Sequence, residues 1–171
     1  MKLPPLTVRA IHSVAVEVPI TYALGTSRGV ISKAPLLLID LQTEEGVTGR
    51  SYLWCYFPAA MAAVAKMLDE VARTVTGERL APADLWSKLC ERFALIGVQG
   101  VVRMAMAGFD VAAWDALAIA AGWPLATLLG SAPKSAGRRG GKTPDSGARD
   151  RARKSRGQLW PGNVLRSQRS T

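Results

Sequence analysis

Leu36-Leu37-Leu38-Ile39-Asp40-Leu41, followed by Thr43-Glu44-Glu45-Gly46 and then by Val47 to Trp54, is the stretch that decides the fold. The apolar run is too short for an ordinary helix, the Thr-Glu-Glu-Gly segment carries turn chemistry, and a second strand-like run begins at once. These residues predict two strands joined as a hairpin. Upstream, Val8, Ala10, His12, Val14, Val16 and Val18 alternate with Arg9, Ile11, Ser13, Ala15 and Glu17. That period of two predicts a half-buried strand from Thr7 to Val18, ended by Pro19, with His12 on its apolar side. Ile20 to Lys33 holds Gly25, Thr26, Ser27, Arg28 and Gly29 without a sustained period and reads as a loop of about a dozen residues, long enough to suggest a functional role.

Downstream the period changes. Met61, Val64, Leu68, Val71 and Val75 recur at steps of three and four between Pro58 and Gly77, which predicts a helix from about Pro58 to Thr76. Pro82 and Asp84 precede Leu85, Leu89 and Phe93, the start signals and stripe of a second helix ending near Gly97. From Val101 to Ala121 apolar residues fall on nearly every face, as in a helix packed on several sides; Gly122 caps it, and Pro124 opens a last turn through Leu129. Strands followed by helices, without β-α-β alternation, place the chain in the α+β class: a three-stranded antiparallel meander followed by a layer of three to four helices.

The length of 171 residues fits one domain with a modest core. Charge divides it in two. Residues 1–130 carry eleven Lys+Arg against eleven Asp+Glu, so the whole net charge of +9 belongs to residues 131–171. That segment, rich in Gly, Arg and Ser, buries too little apolar surface to offset its ordering entropy and is expected to be a disordered basic tail. Cys55 and Cys90 stand at no metal-ligand spacing and suggest a reducing compartment. No uninterrupted apolar run approaches the ~20 residues of a membrane span, and Met1-Lys2-Leu3-Pro4-Pro5 has no signal-peptide core. The expectation is a soluble, cytoplasmic chain without a membrane partner.

Catalytic constellations are scarce. The single His12 excludes pairs of imidazoles, and it reads either as a satisfied structural residue or as an isolated functional one. Gly25-Thr26-Ser27-Arg28-Gly29 fits neither phosphate-loop spacing. Asp110 and Asp115 lie five positions apart, ~140° around a helix, and are poorly placed to share a metal ion. Either Asp110 or Asp115 is expected to be tied to Arg103 or to backbone donors, the alternative being a catalytic pair. Trp54, Tyr56 and Phe57 at a strand end can be core or the wall of an apolar pocket.

Taken together, Ala34-Pro35-Leu36 to Leu41, Glu45-Gly46-Val47-Thr48-Gly49-Arg50-Ser51-Tyr52-Leu53-Trp54-Cys55-Tyr56, Pro82, Arg92-Phe93, Arg103-Met104-Ala105, Asp110-Val111-Ala112-Ala113-Trp114-Asp115-Ala116-Leu117 and Pro124 to Gly130 follow a known order and spacing. From about Leu6 to Lys134 the chain resembles the N-terminal capping domain of the mandelate racemase and muconate lactonizing enzyme family of the enolase superfamily. The resemblance implies an enolase N-terminal-domain-like fold that closes over a (β/α)₇β barrel. The family's catalysis lies on that barrel: a Lys-x-Lys motif and a His–Asp dyad exchange the proton α to a carboxylate, and three acidic residues hold Mg²⁺. None of these residues has a counterpart here, so the resemblance assigns no catalytic residue, metal ligand or cofactor to this chain.

The resemblance does assign a lid. Its two loops match Tyr22 to Ile31 and Tyr52 to Phe57, and Leu24, Thr26, Ile31, Trp54 and Tyr56 fall at substrate-pocket positions. A small carboxylate substrate is implied only where a barrel is supplied. After Lys134, where relatives begin the first barrel strand, this chain runs Ser135-Ala136-Gly137-Arg138-Arg139-Gly140-Gly141-Lys142. The expectation is a truncated, inactive lid whose tail is read out of frame, with self-association through the surface left facing no barrel. The competing reading is a binding module whose Arg138, Arg139, Arg149, Arg151, Arg153, Lys154 and Arg156 contact nucleic acid or another polyanion, although only Trp160 offers stacking and charge runs are ordinarily solvated.

Overall fold

The computed structural model describes residues 4–27 and 29–131. Beyond Ser131 the basic segment read as a disordered tail, with every residue of the polyanion reading, lies outside the described residues. Three strands, β1 (Val8–Thr26), β2 (Gly29–Thr43) and β3 (Thr48–Trp54), form one antiparallel sheet in the order β1-β2-β3. Four helices follow: α1 (Pro58–Val75), α2 (Pro82–Arg92), α3 (Val101–Ala121) and α4 (Leu125–Leu128). The α+β meander-then-helices architecture is therefore observed.

Local signals explain the helix ends. Pro58 and Pro82 occupy first-turn positions, where a missing N–H costs nothing, and Gly122 closes α3 in the left-handed conformation at φ 68°. Phe93 caps α2 earlier than the Gly97 boundary read from the sequence. Val64, Leu68, Val71 and Val75 form the buried stripe of α1. They meet Leu37, Ile39 and Leu41 from the sheet and Met106, Phe109 and Leu117 from α3 in one core. Each such side chain contributes ~1.5–3 kcal/mol by leaving water. By length and composition α3 would suffice to cross a membrane; half of its apolar window is buried within the fold, and Asp110 and Asp115 interrupt it.

Helix α3 approaches the sheet closely because both sides omit side chains. A β-carbon on Gly49 would stand 2.0 Å from the Ala112 carbonyl oxygen and 2.7 Å from the Ala116 nitrogen. Two polar contacts pin the same seam: the Arg50 N–H donates to Asp115 Oδ2 at 2.8 Å, and Ser51 Oγ donates to the Gly108 carbonyl at 2.6 Å. Asp115 thus takes a backbone donor as expected, but from β3. Arg103 instead bonds the Val98 carbonyl and lies 5.2 Å above the Trp86 ring.

Three expectations are corrected. Pro19 does not end β1, and Ile20 to Lys33 is not a loop: the strand continues to Thr26, pairing Leu24 with Ile31 and Thr26 with Gly29 after a register shift between Pro19 and Leu24. A proline is tolerated because β1 is an edge strand and the irregularity falls at the proline. Correspondingly β2 begins at Gly29, seven residues before Leu36. Finally, His12 is exposed on the open face of the sheet. A register shift between Val8 and Ala10 inverts the alternation, so Val8 is buried but Val14 and Val18 point away from the helices.

The open face has a regular layout. His12, Asp40 and Arg50 are cross-strand neighbours in one row, Val14, Leu38 and Tyr52 in the next. Both rows line a shallow hollow of about 460 Å³.

Candidate functional site

The site expected from the sequence comprises two segments, and the fold brings them to one end of the sheet. The first is the β1–β2 arm beyond Pro19. Its residues are almost all exposed, Tyr22 at 87% and Val30 at 73%, so the arm is held by its ladder with little core beneath it. Thr26 Oγ1 donates to the Gly29 carbonyl at 2.8 Å and closes the tip.

The second segment joins β3 to α1. The Cys55 N–H donates to the Pro35 carbonyl at 2.9 Å, and the Cys55 side chain is buried, with its thiol pKa pushed up by loss of solvent. With Cys55 anchored inward, Tyr56 and Phe57 turn out to solvent, 63% and 70% exposed. Tyr56 holds φ 60°, the single described non-glycine residue in the left-handed region, a conformation costing ~1–2 kcal/mol for an L side chain. Trp54 stands at the strand end, its ring centroid 6.2 Å from that of Tyr56 at a tilt of 37°. Its Nε1 is buried without an acceptor among the described residues. Trp54 is half-buried, while Tyr56 and Phe57 project to solvent.

Between the segments lies a groove of about 340 Å³ lined by Val30, Ile31, Tyr56 and Phe57, with Glu17 and Lys33 at its side. Ile31 and Tyr56 therefore share one cavity. Leu24 faces Ile31 across the arm, Trp54 stacks obliquely on Tyr56, and Thr26 sits apart at the tip. Glu17 and Lys33 were not anticipated; they form an exposed ion pair at 3.6 Å. Recognising them requires knowing that the arm is a hairpin, which the glycines and Pro19 obscure.

The arrangement can enclose an apolar group beside one ion pair. Among the described residues it holds no nucleophile with an adjacent base. Asp110, on α3, has its pKa raised by burial, an effect opposed by a hydrogen bond from the Trp114 side chain. Among the described residues no three His, Cys, Asp or Glu side chains converge as metal ligands, so these residues do not fit a magnesium site.

Residues 7–130 match the family described as mandelate racemase / muconate lactonizing enzyme, N-terminal domain. The chain belongs to this family. Among solved structures, the chain is similar to an enolase from Bradyrhizobium complexed with magnesium and mandelic acid, at 37% identity and a TM-score of 0.73. The alignment covers 78% of this chain and 37% of the Bradyrhizobium chain. L-talarate dehydratase from Polaromonas sp. JS666, complexed with Mg and L-glucarate, aligns at 28% identity and a TM-score of 0.61, over 74% of this chain and 36% of its own. The fold alone is shared with a muconate lactonizing enzyme from Pseudomonas fluorescens, at 19% identity, a TM-score of 0.66, and 75% and 35% of the two chains. The chain thus spans little more than a third of the length of these relatives.

Proposed function

We propose that residues 7–130 form the substrate-specificity lid of a magnesium-dependent racemase or dehydratase acting on an α-hydroxy or sugar acid. In this reading Leu24, Thr26, Ile31, Trp54 and Tyr56 line the pocket that the lid closes. The observation that carries it is the groove shared by Ile31 and Tyr56, where an exposed hairpin arm and an outward-turned strand end meet. A lid needs this combination: apolar walls that select a substrate side chain and exclude water, mounted on an element able to move over the reacting group. Mandelic acid and L-glucarate, bound by relatives carrying the same domain, indicate the substrate class.

Chemistry is assigned to a catalytic barrel. Abstraction of a proton α to a carboxylate needs a base within hydrogen-bond reach and a cation to stabilise the enediolate. The 171 residues contain one His and no Lys-x-Lys. We infer that this chain alone turns over no substrate, that magnesium is held elsewhere in the intact family, and that a carboxylate substrate is bound only with a barrel present. The family match ends at residue 130, and all of the excess positive charge follows it. Residues 131–171 are accordingly proposed to be a separate segment read in a frame other than the family's. Finding no Lys-x-Lys and no spaced acidic codons in the adjacent frames of the coding DNA would contradict that origin.

The test of the whole reading on the purified chain is an assay with mandelic acid and with glucarate, with and without Mg²⁺. No racemisation or dehydration is expected. Metal-dependent turnover by the 171-residue chain would overturn the lid-only role.

A further inference from the structure

The outer edge of β1 is a second surface, which meets the lid groove only at Glu17. Its first residues are already paired on that side: the Val8 N–H donates to the Glu78 carbonyl at 2.9 Å, and the Gly77 N–H donates to the Val8 carbonyl at 2.8 Å. From Ala10 to Val18 the only backbone ladder among the described residues is the one to β2. Register shifts bound this stretch at both ends, between Val8 and Ala10 and between Pro19 and Leu24. Natural sheets blunt their edges with lysines, prolines and bulges. Here such devices stand outside Ala10-Ile11-His12-Ser13-Val14-Ala15-Val16-Glu17-Val18, a β-prone stretch with no Lys, Arg or Pro.

A row of free N–H and C=O groups is matched in full only by another strand, so the fitting occupant is an extended segment. The charges at the ends of the stretch indicate which one. Arg9 stands just before it and Glu17 near its far end, and both are exposed. An antiparallel pairing of two β1 strands about a two-fold axis at Ser13 sets Arg9 of each copy opposite Glu17 of the other, with Ile11 opposite Ala15. Both opposite-charge pairs form at once, and neither Arg9 with Arg9 nor Glu17 with Glu17 is set face to face. Glu17 bridges Lys33 at 3.6 Å with 41% of its side chain exposed, which leaves it open to a second cation.

We propose that a second copy of this chain docks on the β1 edge, joining the two sheets into a six-stranded antiparallel sheet across a two-fold interface.

The test uses the full 171-residue chain and two charge reversals on exposed side chains, Arg9→Glu and Glu17→Arg, with sedimentation equilibrium for affinity and circular dichroism for folding. The wild type is expected to dimerise, and each variant alone to do so roughly tenfold more weakly, because two attractive pairs become repulsive. An equimolar mixture of the two variants is expected to recover the wild-type affinity as a heterodimer, since acidic edges then face basic ones. Association through another apolar surface would not respond to this exchange. A monomeric wild type, single variants that dimerise like it, or a mixture no tighter than its components would overturn the proposal. A second measurement does not rely on the reversals: a nitroxide on Ala15→Cys in a Cys90→Ser background is expected to find its counterpart across the axis at about 13 Å along the strands. Absence of that distance in associated protein would also overturn it.

Discussion

A β-carbon at Gly49 would lie 2.0 Å from the carbonyl oxygen of Ala112, closer than any real contact allows, so the spacing between β3 and α3 is set by a missing side chain. Gly108, on the facing helix, differs in kind: its added β-carbon would meet Ile39 Cδ1 at 2.6 Å and Leu53 Cδ1 at 2.9 Å, the far ends of flexible side chains. Gly49→Ala is therefore expected to cost more than about 3 kcal/mol or prevent folding. Gly108→Ala is expected to cost about 1 kcal/mol or less, because repacking is offset by a helix-propensity gain of similar size. Urea unfolding of the two variants checks the order; equal losses would contradict it.

Asp110 gives a pH signature. Burial raises its folded-state pKa above the usual carboxylate value, so ionising it costs more in the folded chain than in the unfolded one. Stability is then lost as pH rises from the unfolded value near 3.8 through the folded one. Asp110→Asn is expected to raise the melting temperature at pH 7, and the gain should vanish in acid, where both forms are neutral. A variant less stable at pH 7 would show that the Trp114 hydrogen bond outweighs burial.

Glu45 runs the other way. The Thr7 N–H donates to its Oε2 at 2.9 Å and holds its pKa below the usual value. The stability it contributes is present above about pH 4.5 and is lost as pH falls through the lowered pKa. Glu45→Gln should lower the melting temperature at pH 7 and have little effect in acid. An effect independent of pH would contradict the charged hydrogen bond.

Much of the fold is legible because its strongest signals are local. The Leu36–Leu41 run, the Val64-Leu68-Val71-Val75 stripe and the Gly122 cap each act within a turn or two of chain, and each lies where expected. What escaped depends on partners. Pro19 is harmless only because β1 lies at an edge, and the side of the sheet that His12 faces depends on one extra residue near Arg9. At the site, the chain itself marks Trp54 and Tyr56 as an aromatic pair near a strand end. That Ile31 reaches the same groove as Tyr56 depends on the arm's register, which no local pattern specifies.

The left-handed backbone at Tyr56 separates stability from function. Tyr56→Gly relieves a strain of ~1–2 kcal/mol and forgoes one exposed ring contact, so the melting temperature is expected to hold or rise. The same change removes one wall of the proposed pocket. A clear drop in melting temperature would show that the Tyr56 ring is structural.

The central claim is that residues 7–130 choose the substrate for a catalytic barrel. Joining this domain to the remainder of the Bradyrhizobium enolase, with which it shares 37% identity, gives a chimera whose kcat/KM can be measured for mandelic acid and for glucarate. The expected result is an active chimera whose preference between the two acids shifts about tenfold or more on Ile31→Ala or Trp54→Ala, one apolar contact being worth ~1–3 kcal/mol. An active chimera whose preference is unmoved by Leu24→Ala, Ile31→Ala, Trp54→Ala and Tyr56→Ala would contradict the lid.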